Sequence, residues 1–160
     1  MAKIWTQKKG FLDDNAWGYL ADEAKFLTLE EFVSTNDNNV ALRIEPADDV
    51  ILLADHLDRI GIIALNFPMF SDGRAFSHGA LLRDRLKFKG DVRAFGHVLL
   101  DQVPLMLRCG ISSFEVSDDA TIKHLNAGHI PAISHHYQPS MNEPVKANSY
   151  SWRYMANISQ

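Results

Sequence analysis

The sequence predicts an α/β domain: repeated strand–helix units around a mainly parallel sheet, behind a short β-rich prelude. Three observations predict it. Gly61, Gly90 and Gly110 each stand between a stretch of helical apolar spacing and a stretch that reads as a strand. Residues 62–67 (Ile-Ile-Ala-Leu-Asn-Phe) are nearly all apolar, as a strand covered on both faces should be. Asp48 or Asp49, and later Asp118 or Asp119, stand where helices need caps. Alternating strands and helices imply a parallel sheet with right-handed crossovers. An open, doubly wound layer and a partial barrel both satisfy the pattern.

The elements follow in order. Lys3 to Thr6 and residues 16–20 read as short strands, broken by Lys8-Lys9-Gly10 and Asp13-Asp14-Asn15. Thr28-Leu29-Glu30-Glu31 is a capping box in front of a short helix. Residues 40–44 alternate like a strand. The next helix places Leu52, Leu53, Leu57 and Ile60 at helical spacing and ends at Gly61. After strand 62–67 comes a loop to Gly73, then a helix over 75–86 carrying Leu81, Leu82 and Leu86, closed by Lys89-Gly90. Strand 92–95 leads to a helix over 98–109, in which Pro104 kinks the helix or starts a new turn. Gly110 closes it. Strand 113–116 precedes a helix running to about Ala127.

The whole 160 residues are expected to form one domain: a prelude over 1–39, a β/α core over 40–130 and an aromatic-containing tail over 131–160. The tail holds Tyr150, Trp152, Tyr154 and Met155, which suit packing on the domain or on a second copy, so a homo-oligomer is one expectation. A net charge of −4 argues against a nucleic-acid surface. The single cysteine, Cys109, excludes a disulfide within the chain and fits a reducing compartment. There is no long apolar run to span a membrane and no apolar run near Met1 to act as a signal peptide. The cytoplasm is the expected location.

In parallel sheets ligands bind beyond the carboxyl ends of the strands. Three loops should converge there. The first carries Asp72, Gly73, Arg74 and Ser77, which suit a small oxyanion such as sulfite, sulfate or phosphate; equally, Asp72 and Arg74 pair and Ser77 caps a helix. The second carries His97 and Asp101, an orienting pair if both are helical, followed by Gln102. The third is Ser117-Asp118-Asp119. His124, His129, His135 and His136 lack the spacing of a metal site. Cys109, at a helix end beside Arg108, reads as a small buried hydrophobe. No G-x-G-x-x-G, P-loop or C-x-x-C motif is present, so no cofactor is named by motif.

The run Ile63-Ala64-Leu65-Asn66-Phe67-Pro68-Met69-Phe70-Ser71-Asp72-Gly73-Arg74 resembles the hallmark of a bacterial family of unknown function. Leu81-Leu82-Arg83-Asp84-Arg85-Leu86, Arg93-Ala94-Phe95-Gly96, Asp101-Gln102 and Arg108-Cys109-Gly110 share the resemblance. Members of that family are described as oxidoreductases of sulfite reduction, and their genes lie beside those of sulfite reductase. The resemblance implies a role in sulfate assimilation, sulfite reductase as a partner, and a shared site around residues 67–77, Arg93 and Asp101-Gln102. His97 stands where the resemblance implies a carboxylate, and Gly79 and Pro104 also depart from it.

Overall fold

The computed structural model describes residues 2–12 and 26–131. The second predicted prelude strand, over 16–20, and the aromatic tail fall outside the described residues. The elements are β1 (Lys3–Thr6), β2 (Gly10–Phe11), β3 (Phe26–Leu27), α1 (Leu29–Ser34), β4 (Val40–Ile44), β5 (Ile60–Phe67), α2 (Arg74–Ala80), β6 (Asp91–Gly96), α3 (Val103–Arg108), β7 (Ser113–Val116) and α4 (Asp119–Asn126).

The seven strands form one open sheet in the order β2-β1-β7-β6-β5-β4-β3. Strands β3 to β7 are parallel neighbours in chain order. The prelude adds β1 antiparallel to β7, and β2 antiparallel to β1. The order from β3 to β7 never reverses, so right-handed crossovers all fall on one face. The core agrees. Leu29 and Phe32 of α1, Ala75 of α2, Val103 and Met106 of α3 and Leu125 of α4 all join one cluster with Leu42, Ile63, Leu65, Val92 and Phe114. The doubly wound alternative is therefore corrected to a sheet wound in one direction, with no switch point between strands.

The other face alternates with the first, as the pleat requires. It carries an apolar group of Phe26, Ile62, Ala64 and Phe95. Two polar groups flank this. On one side Arg43 donates to Glu45 at 2.8 Å and Asn66 to Glu45 at 2.6 Å, with the Arg43 guanidinium 5.0 Å from the Phe95 ring centre. On the other lie Asp91, Arg93, Ser113 and Glu115.

The capping box holds: the Thr28 hydroxyl accepts from the Glu31 amide, and Glu31 accepts from the Thr28 amide at 2.8 Å. Asp118 caps α4 by accepting from the Thr121 amide at 2.7 Å. The helix predicted after β4 is instead two 3₁₀ turns, Val50–Leu53 (capped by Asp49) and Leu57–Arg59. Leu52, assigned to its buried stripe, is 60% exposed. The buried positions Val50 and Leu53 are three apart, which is the 3₁₀ repeat. Gly61 does not end a helix; it lies within β5, where a Cβ would stand 2.8 Å from the Asn39 side chain. The helix predicted over 98–109 shrinks to α3, with Pro104 in its first turn. Proline has no amide to donate, so a helix tolerates it only at its start.

Candidate functional site

The carboxyl ends of β5, β6 and β7 do meet. The His97 amide donates to the Phe67 carbonyl at 2.7 Å, tying the loop after β6 to the end of β5. Gly96 makes this approach: at φ +89 it takes a conformation that side chains resist, and a Cβ there would stand 2.7 Å from the Phe67 oxygen. His97 also faces the loop after β7. The Asp118 carboxyl is held below its ordinary range first by its hydrogen bonds to Thr121, with a smaller pull from the His97 charge. Asp101 is not its partner in a helix, because residues 97–102 precede α3 as bends and turns. That pairing is corrected.

Asp72 and Arg74 form a closed fork. Arg74 Nε donates to Asp72 Oδ1 at 3.0 Å, Nη2 to Oδ2 at 2.7 Å, and the Arg74 amide to Oδ1 at 3.2 Å. This fork, first through the Arg74 side chain and then its amide, lowers the Asp72 pKa to about 2. Gly73 occupies the N-cap position of α2, and Ser77 is exposed within the helix, so neither Ser77 nor any other side chain caps it. Gln102 is buried, with its Oε1 unpartnered among the described residues.

His78 completes this corner and was not among the sequence candidates. It lies four residues after Arg74, so the two share a face of α2; that spacing was the available signal. It is half-buried, and its Nδ1 has no hydrogen-bond partner among the described residues. Burial lowers its pKa, opposed by Asp48, then helped by Arg74, with Asp49 and Asp72 also opposing. The loops after β4 and β5 therefore both act on one imidazole. These same loops expose large apolar side chains: Ile51 and Leu52 follow β4, and Met69 and Phe70 follow β5.

Arg93 stands apart from this corner. It is fully buried on the opposite face of the sheet, held by Ser113 at 3.1 Å, Asp91 at 3.4 Å and Glu115 at 3.7 Å. The structure thus brings Asp72, Gly73, Arg74 and Ser77 together on one loop and helix. It places His97, Asp101 and Gln102 on the neighbouring loop and leaves Arg93 elsewhere.

Residues 41–147 match the family described as "Bacterial protein of unknown function (DUF934)". The chain belongs to this family. DUF934 is thereby the bacterial family of unknown function that the hallmark run resembles. No curated protein and no solved structure matches the chain. The DUF934 match runs from the second residue of β4 through α4, and so covers both the Asp72-Arg74 fork and the apolar loops beside it.

Among the described residues no three His, Cys, Asp or Glu side chains gather at metal-binding distance, and no helix is long and apolar enough to cross a membrane. The His124 and His129 rings lie tilted to one another with centres 5.5 Å apart, a pair without a third ligand among those residues. Cys109 is partly buried, and that burial raises its thiol pKa against the opposing pull of Arg108, which disfavours a reactive thiolate.

Proposed function

We propose that this protein is an accessory factor of assimilatory sulfate and sulfite reduction that docks onto sulfite reductase through the loops after β4 and β5. One observation carries the reading. Four of the five large apolar side chains that stand exposed among the described residues, Ile51, Leu52, Met69 and Phe70, follow the carboxyl ends of these two neighbouring strands. Such clustering marks contact surfaces, because a monomer in water gains nothing by presenting it. Two of the four lie in the run most specific to the resemblance. The Asp72-Arg74 fork stiffens that run, which lowers the cost of ordering it on contact.

The test is binding of the purified protein to purified assimilatory sulfite reductase by size-exclusion chromatography and interferometry. A stable complex is expected. Replacing both Met69→Ser and Phe70→Ser should weaken it about tenfold or more, as central apolar anchors do, with the melting temperature unchanged. No complex overturns the reading.

A second reading, an enzyme acting on a small anion at the Asp72-Gly73-Arg74 loop, is favoured by His78. A neutral imidazole whose Nδ1 has no hydrogen-bond partner among the described residues, beside a guanidinium, is the equipment of a general base and an anion holder. In that case sulfite, sulfate or phosphate raises the melting temperature, and Arg74→Ala removes the effect.

A further inference from the structure

The amino end of the sheet carries a cleft that neither reading uses. It lies between the β1–β2 turn, the start of β6 and the segment entering β7, and encloses about 680 Å³. Its charge runs against that of the chain. The protein as a whole has 16 Lys and Arg against 20 Asp and Glu. The cleft is lined by Lys8, Lys9, Arg83, Lys89 and Arg93, with Asp91 the only carboxylate among its described lining residues.

The groups at its floor are already committed to one another. Ser112 Oγ donates to Asp91 Oδ1 and Ser113 Oγ to Asp91 Oδ2, each at 2.6 Å. Arg93 adds its contact to the same carboxylate. Arg83 donates to the carbonyls of Gly110, Phe88 and Gly90 at 2.7–2.8 Å and to Ser112 Oγ at 3.2 Å. Asp91 is therefore engaged by two hydroxyls and Arg93, and the two arginines are held as framework.

The lysines are different. Lys8, Lys9 and Lys89 are exposed and have no ion-pair partner among the described residues. Two of them ride on a tight turn fixed by the Lys9 amide donating to Thr6 Oγ1 at 3.2 Å, and the third faces them from the loop before β6. Among the described residues these three ammonium groups stand unpaired around one opening, where they repel each other and focus positive potential into it. An anion relieves that repulsion. The cleft is larger than an inorganic oxyanion needs and falls in the range of small-molecule sites. Leu12 and Leu107 supply apolar wall beside the cations.

We infer that this cleft binds a small organic phosphate or sulfate ester, its anionic group among Lys8, Lys9 and Lys89 and its organic part against Leu12 and Leu107. The site lies at the opposite end of the sheet from the docking loops and stands or falls without them.

Calorimetric titration tests it with AMP, p-nitrophenyl sulfate, adenosine and inorganic phosphate. AMP and p-nitrophenyl sulfate should bind, and binding should weaken as sodium chloride is raised, since salt screens exposed charges. Adenosine should not bind. A triple variant, Lys8→Gln, Lys9→Gln and Lys89→Gln, should lose about tenfold or more in affinity, or about 1.4 kcal/mol, while its melting temperature without ligand stays that of the parent. The inference is overturned if neither ester binds, if the triple variant binds them equally well, or if adenosine matches AMP. Inorganic phosphate binding as tightly as AMP also overturns it, because the organic part would then add nothing.

Discussion

His78 sits among four charges: Arg74 and Asp72 on its own side, Asp48 and Asp49 across from it. Burial outweighs the rest and holds its pKa below the ordinary 6.5. The sign of the consequence follows. Above pH 6.5 the imidazole is neutral in both folded and unfolded chains. As the pH falls below that value the unfolded chain takes up the proton first, so stability declines until the folded ring is protonated too. His78→Gln should flatten that part of the curve of melting temperature against pH, measured by differential scanning calorimetry. Parallel curves for variant and parent would mean that the ring titrates normally in the fold. Residues whose role is local were legible in the sequence: Thr28 with Glu31, Asp49 and Asp118 all cap within three residues of themselves. His78 was not, because its importance comes from burial and from Asp48 and Asp49 on another loop. The Asp72-Arg74 pair was visible as an alternative to an anion site, and the geometry now favours the closed fork.

At the scale of the element, the helix begun by α2 continues through a π-helical turn over Leu81–Arg85, where the Leu86 amide reaches back to the Leu81 carbonyl at 3.0 Å. Such turns insert one residue and re-aim the side chains near them. Here Arg83 reaches four acceptors, two of them 27 and 29 residues away at Gly110 and Ser112. Gly110 leaves the space: at φ +90, a Cβ would stand 2.3 Å from the Arg83 side chain. Arg83→Met keeps the apolar stem and strips the donors from these acceptors, so it should cost about 2–3 kcal/mol of stability. Urea titration measures this; a loss below about 0.5 kcal/mol would mark the staple as an ordinary surface contact. No sequence pattern shows such a turn, since one inserted residue barely disturbs the apolar spacing that predicted this helix. The two mis-sized helices have the same kind of cause. Three-residue spacing suits an α-helix and a 3₁₀ turn alike between residues 50 and 60, and Pro104 moved the start of α3 forward.

The fold as a whole was the most legible level. Alternating strands and helices gave the parallel order of β3 to β7, because each unit buries its apolar stripe beside the previous one. The direction of winding was not legible, since either arrangement repeats the same local pattern. Nor was the cationic cleft, whose lysines come from turns that lie about eighty residues apart in sequence and on either side of β7 in the sheet. Pairing is densest at the middle: β5 and β6 align along six consecutive residue pairs, while β2 and β3 are two residues each. Hydrogen exchange should therefore be slowest at Ile63, Ala64, Val92 and Arg93 and much faster in β2 and β3. Equal protection across the described strands would show that the sheet opens only as a unit.

Those two brief outer strands have a further effect. A strand at a sheet margin is a template on which another chain can crystallise its own backbone, and long margins seed fibres. Among the described strands the outermost one at each margin offers only about 7 Å of ladder, a poor template for a stranger's strand to gain a register. Crowding in concentrated solution should thus bring copies together by side chains, where contacts remain reversible, rather than by backbone.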